Sequence, residues 1–132
     1  MNDAERLEAI EKALDDLRVL SEDSIILVEG ANDEKALRAL GIEGEFIHIQ
    51  SEGGPLKAAE RVHAEGGRAV ILTDWDRKGG TLARDAAEQL AALDVEHDTS
   101  VRRRLSVLCS SLVKDVESLD SCVGSLDARV RR

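Results

Sequence analysis

Three short apolar runs, each followed by a helix-forming stretch, constrain this chain more than any other feature. "SIILVEG" (residues 24–30), "EFIHI" (45–49) and "RAVILT" (68–73) are nearly continuous aliphatic segments, too short for helices and without the polar alternation of a half-exposed strand. Strands of that kind are covered on both faces, as in a parallel sheet. Between them lie "NDEKALRALG", which starts at Asn32 and stops at Gly41, and "LKAAERVHAEGG", introduced by Pro55 after the loop "SEGG". Strand, helix, strand, helix, strand requires crossover connections and predicts an α/β fold, with helices flanking a small parallel sheet of three or four strands.

The flanks extend this frame. Leu7, Ile10, Leu14, Leu17 and Leu20 recur at helical spacing over residues 3–20, with Asp3 as the expected cap. "TLARDAAEQLAAL" predicts another helix, and "DVEHDTSV" reads either as a loop or as a fourth strand. From Val101 the apolar positions Leu105, Leu108, Leu112, Val116, Leu119, Val123, Leu126 and Val130 are helical in spacing, with an irregular step at Ser110 and Ser111. One helix of some 30 residues would run about 45 Å, too long for so small a body, so two helices broken near those serines are expected. The organisation is thus an N-terminal helix (1–22) packing on a core (23–95) and a helical C-terminal extension of the same domain (96–132). The C-terminal stripe is expected to pack over the sheet, with a homodimer as its rival.

Charge is divided unevenly. Residues 1–100 carry 11 Lys/Arg against 23 Asp/Glu, and residues 101–132 carry 7 against 4, which together make the net −9. An acidic body can meet nucleic acid only through local basic patches. No apolar run approaches a membrane span, and the charged start "MNDAERLEAI" is unlike a signal, so a cytoplasmic location without membrane contact is expected. Phe46 and Trp75 are the only aromatics, which excludes serial base stacking. Cys109 and Cys122 read as small buried apolar residues.

The third run ends in "TDWDRKGG". Asp74 and Asp76 project to one side of an extended chain and repel unless a cation lies between them. Carboxyl ends of parallel strands share one edge, so Glu29, at the end of the first run, meets this pair in space, and Asp33 follows in the next helix's first turn. Carboxylates converging there suit Mg²⁺ (or Mn²⁺), which keeps several waters and bridges to phosphate oxygens, and imply phosphoryl or nucleotidyl transfer. Arg77 and Lys78 directly after the pair, and Arg102, Arg103 and Arg104 in "RRRL", are candidates for phosphate contact, as are the arginines of the terminal "ARVRR". Gly30, Gly79 and Gly80 are expected to permit tight turns beside the acids.

"ILVEGANDEKAL" followed by "VILTDWDRKGG" resembles the Toprim domain of primases, type IA and II topoisomerases, overcoming-lysogenization-type nucleases, recombination-repair proteins and 5S rRNA maturation ribonucleases. The resemblance covers residues 24–93. It implies a three-layer Toprim/Rossmann-like fold, an acid/base or metal-binding role for Glu29, Mg²⁺ at Asp74 and Asp76, and a supporting role for Asp33. The whole chain is similar to small stand-alone primase-like Toprim proteins of archaea, through "RRRL" and "KDVESL". Nuclease-like or primase-like chemistry on RNA or DNA is the implied activity, alone or in a larger processing complex. The chain departs from the maturation ribonucleases at Ala31, where those commonly carry a basic residue.

Other readings weigh against this one. Topoisomerase chemistry needs a tyrosine nucleophile, and the chain has no tyrosine. A haloacid-dehalogenase-type phosphatase would place its aspartate pair on a first strand rather than a third. A non-catalytic nucleic-acid-binding or scaffold module remains the alternative. His48, His63 and His97 lack ligand spacing, Trp75 is expected to pack on a neighbouring helix, and Glu117 reads as an exposed helical acid.

Overall fold

The computed structural model describes residues 1–131. Its elements are α1 (Asp3–Leu20), β1 (Ser24–Val28), α2 (Ala31–Ala39), β2 (Phe46–His48), the single turn α3 (Ile49–Glu52), α4 (Pro55–Ala64), β3 (Arg68–Ile71), α5 (Arg77–Ala92), β4 (His97–Asp98), α6 (Ser100–Cys109) and α7 (Leu119–Val130). All four strands are parallel, in the order β2-β1-β3-β4. The expected α/β architecture, a small parallel sheet flanked by helices with a helical C-terminal region, is therefore present.

Burial explains the aliphatic runs. Every residue of β1 is buried, and successive side chains serve two separate cores. Ile26, Val28, Val70 and Leu72 pack under α1, α2, α6 and α7, while Ile25, Leu27, Ala69 and Ile71 pack under α4 and α5. A strand that feeds both layers has no face to spare for polar residues. The C-terminal stripe is used within the chain: Val101, Leu105, Leu119 and Leu126 are fully or almost fully buried over the sheet, each worth about 1.5–3 kcal/mol relative to exposure.

The topology also positions a site. From β1 the chain moves outward to β2 through α2 on one face, then returns through α4 on the other face to β3 on the opposite side of β1. The reversal separates the connections leaving the carboxyl ends of β1 and β3, and a crevice opens there.

Several boundaries differ from expectation. Asn2, not Asp3, caps α1: its Oδ1 accepts from Glu5 N at 2.8 Å and its own N–H donates to the Glu5 carboxylate. α2 starts at Ala31 with Gly30 as its cap residue. α5 begins four residues before Thr81, because Asp76 Oδ1 accepts from Gly79 N at 2.7 Å and caps the helix. The open question after Leu93 resolves to a strand of two residues, with Ala69 opposite His97 and Val70 opposite Asp98. The C-terminal helices do break near the serines, but residues 110–118 form a connection rather than a simple kink, and Glu117 lies in it. Among the described residues no helix is long and apolar enough to cross a membrane.

Candidate functional site

Glu29 follows β1 directly and Asp74 lies just beyond β3, its neighbour in the sheet. Forty-five residues apart in sequence, they are joined by one hydrogen bond: Asp74 N donates to Glu29 Oε2 at 2.8 Å. The other acids are held in the same manner. Asp33 Oδ2 accepts from Gly30 N at 3.0 Å, Asp74 Oδ1 from Val116 N at 2.9 Å, and Asp76 Oδ1 from Gly79 N at 2.7 Å. Each of the four carboxylates thus has one oxygen fixed by a backbone N–H. Among the described residues no N–H donates to the second oxygen of any of them.

Those groups border a cavity of about 380 Å³, with Gln50, Lys78 and Glu117 completing its polar wall. A larger hollow, about 740 Å³, lies at the opposite end of β1 around Ser21, Glu22 and Gly44, and none of the sequence-predicted site residues lines it. The smaller cavity is the one bordered by the candidate acids.

Electrostatics follow from burial and crowding. Asp74 is pushed up from 3.8 to about 6, chiefly by burial and then by the neighbouring Glu29 charge, against the opposing pull of the Val116 N–H. Asp33 is raised mainly by burial, with Asp74, Glu117 and Asp115 adding to it and the Gly30 N–H opposing. Protonation of Asp74 relieves its repulsion with the neighbouring Glu29 charge. A divalent cation is the other way to relieve the same repulsion.

The donor set suits a hard cation: carboxylate oxygens, partly open, beside a polar cavity. All four of the expected carboxylates, Glu29, Asp33, Asp74 and Asp76, line this one cavity, but they do not close into a ready-made cage. Among the described residues no three Asp, Glu, His or Cys groups make a cage. The backbone bonds hold the acids along the cavity wall instead, an arrangement that fits Mg²⁺, which takes one or two carboxylates and keeps its waters, better than a cation needing a complete protein shell.

The basic candidates separate. Lys78 lines the cavity, and Arg77 is exposed on the first turn of α5. The "RRRL" arginines diverge by about 100° per residue, as a helix requires. Arg102 turns inward, donating from Nε to Thr73 O at 3.0 Å and Thr73 Oγ1 at 3.0 Å, and from Nη2 to Asp74 O at 2.6 Å. Arg104 pairs with Asp16 of α1 at 2.6 Å, and Arg103 faces solvent. Near the C-terminus Arg129 pairs with Asp3 and Arg131 with Asp127, while Arg132 lies outside the described residues.

Two glycines correct the turn argument. Gly30 is extended at φ −156°, a conformation open to any residue, and a Cβ there would meet Gln50 Oε1 at an ordinary 3.4 Å. Gly79 is needed for close approach: a Cβ would fall 1.8 Å from Asp74 O. Its neighbour Gly80 has room, since a Cβ there would stand 3.9 Å from Arg102 Nη2.

Sequence reasoning missed the return of residues 110–118 to the carboxylate turn. Trp75 Nε1 donates to Val113 O at 2.7 Å, Trp75 N donates to Lys114 O at 3.1 Å, and Val116 N holds Asp74. Trp75 is therefore tied to this connection by two hydrogen bonds, and it packs against the core formed under α1, α2, α6 and α7. The single tryptophan in a chain with one other aromatic residue was the available signal. Of the histidines, His48 bonds Glu34 at 2.6 Å, His97 Nδ1 bonds Val95 O at 3.0 Å, and His63 is exposed; none lines the cavity.

No protein-family model matches the chain. It is 36% identical over 122 residues to a UPF0292 protein of Methanosarcina barkeri, covering 92% of this chain and 85% of that one. UPF0292 proteins of Methanocaldococcus jannaschii (33% identical, 90% and 93% covered) and Pyrococcus horikoshii (37%, 89% and 86%) are similar over comparable spans. A solved structure of a protein from Aquifex aeolicus superposes with a TM-score of 0.69 over 82% of this chain and 95% of that one, at 23% identity, a likeness of fold.

Proposed function

The chain belongs to the UPF0292 family, and from that premise we propose that it is a Toprim-type protein carrying out Mg²⁺-dependent phosphodiester chemistry on nucleic acid, nuclease-like or primase-like. The observation that supports this most is the pairing across adjacent strand ends: Glu29 accepts from the Asp74 N–H, and each acid of the crevice keeps an oxygen that no backbone N–H of the described residues occupies. Asp74 and Asp76, with Glu29 beside them, would hold the cation. When bound, Mg²⁺ supplies charge neutralisation at a phosphoryl oxygen.

The chain's own groups divide the remaining work. Glu29 is buried at 6% exposure, with one oxygen fixed by Asp74 N, so its other oxygen is held ready to accept or return a proton at the reacting oxygen. Lys78 on the cavity wall, and Arg77 next to it, offer donors to the phosphate backbone. Among the described residues no aromatic side chain lines the cavity, so base stacking has no platform there. The scaffold alternative draws support from one observation, the lack of a three-acid cage among the described residues.

Trp75, the single tryptophan, lies between the two aspartates and serves as a built-in probe. Mg²⁺ titrated into the protein should change its fluorescence saturably, and labelled RNA and DNA pools should be cleaved or extended only with Mg²⁺ or Mn²⁺ present. Asp74→Asn with Asp76→Asn should abolish both signals. A saturable cation response without turnover on any pool supports the scaffold reading, and no response at all refutes the metal site.

A further inference from the structure

The run "RRRL" reads in sequence as a basic patch, yet its first arginine spends its donors inside the protein. β3 ends at Ile71, and Leu72 N still bonds Leu27 O across the sheet at 2.8 Å. Beyond that point the Thr73 and Asp74 carbonyls have left the ladder, and carbonyls at a half-buried strand end need donors. Arg102, in the first turn of α6, supplies them: Nε to Thr73 O and Oγ1, Nη2 to Asp74 O. Thr73 Oγ1 in turn donates to Gly79 O at 2.7 Å, tying the start of α5 to the same knot. One guanidinium therefore braces the two peptides that flank Asp74 and, through Thr73, the helix that Asp76 caps.

We propose that Arg102 is a positioning residue of the carboxylate crevice, delivered by the C-terminal region to fix the Thr73–Asp74 backbone and thereby the direction in which Asp74 and Asp76 present their open oxygens. The proposal rests on the reading of this crevice as the working site. It reassigns Arg102 from substrate contact to support, and it makes α6 and the 110–118 connection parts of the site. The rigid planar fork is what the arrangement requires. A lysine ammonium carries the same charge but cannot span two carbonyls and a hydroxyl in fixed directions. Outer-layer groups of this kind typically affect metal affinity by about 10–100-fold when replaced.

The test compares wild type, Arg102→Lys and Arg102→Gln by amide hydrogen exchange in metal-free protein and by Mn²⁺ binding followed by electron paramagnetic resonance. In both variants the Asp74, Trp75 and Val116 amides should exchange at least about tenfold faster while those of Leu27 and Val70 stay unchanged, and Mn²⁺ affinity should fall by about 10–100-fold. Equal loss in the lysine variant is the signature of positioning, because charge alone is retained there. A lysine variant that matches wild type in exchange and affinity overturns the proposal, as does a glutamine variant with unchanged local exchange. Should the glutamine variant fail to fold, the lysine variant decides the matter by itself. If wild type binds no Mn²⁺, the metal reading fails and the exchange measurement still judges Arg102.

Discussion

Replacing Asp74 by Asn should stabilise the metal-free protein at neutral pH. The folded protein raises the Asp74 pKa from 3.8 to about 6. A carboxyl raised by folding contributes stability that is complete below the unfolded pKa, 3.8, and is lost as pH rises through about 6. At 1.36 kcal/mol per pKa unit the loss is about 3 kcal/mol, which solvent access to the half-buried crevice reduces to roughly 1–2. Asn is neutral throughout and keeps an oxygen for the Val116 N–H, so it reproduces the protonated state at every pH. In EDTA, urea unfolding should show variant and wild type equal near pH 4 and the variant ahead by roughly 1–2 kcal/mol near pH 8, about 3–8 °C in Tm. Magnesium should reverse the order: at a hundred times its Kd it adds about 2.7 kcal/mol to wild type. A variant that is less stable than wild type at pH 8 in EDTA, or a difference that does not vary between pH 4 and 8, refutes the reasoning.

Gly79→Ala should cost about 3 kcal/mol or more by urea unfolding, because its methyl falls onto Asp74 O, whereas Gly80→Ala, with open space, should be neutral or mildly stabilising. Glu29→Gln keeps an acceptor for Asp74 N and should retain Mg²⁺ and nucleic-acid binding while losing about 100-fold in turnover; full turnover at saturating Mg²⁺ contradicts the acid/base role. If nucleic acid reaches the outer face of α6, Arg103→Gln should lower the slope of log K against log salt by about 0.9, and Arg104→Gln, already engaged with Asp16, should leave it unchanged. Equal slopes for wild type and the Arg103 variant would show that this arginine is only solvated.

The sheet, its flanking helices and the meeting of Glu29 with Asp74 were legible in the chain because each rests on local information. An aliphatic run of five residues must be covered on both faces, and parallel strands place their carboxyl ends on one edge however the helices pack. Sequence could also name the acids, since two carboxylates flanking a tryptophan after a buried strand stand out from the aliphatic run before them. It could not say which oxygens stay open, because the backbone N–H groups that fix the others come from Gly30, Asp74, Gly79 and Val116, and the last of these is 42 residues away from its acceptor. Nor could it separate three consecutive arginines. Their roles follow from the rotation of α6 against α1 and the sheet, where Leu105 and Val101 seek burial and so aim Arg102 at the strand end, Arg104 at Asp16 and Arg103 at water. The 110–118 connection has no periodicity to read. Its place over Asp74 and Trp75 depends on hydrogen bonds that exist only once the two helices around it have docked, which is why the C-terminal share of the site belongs to the tertiary structure alone.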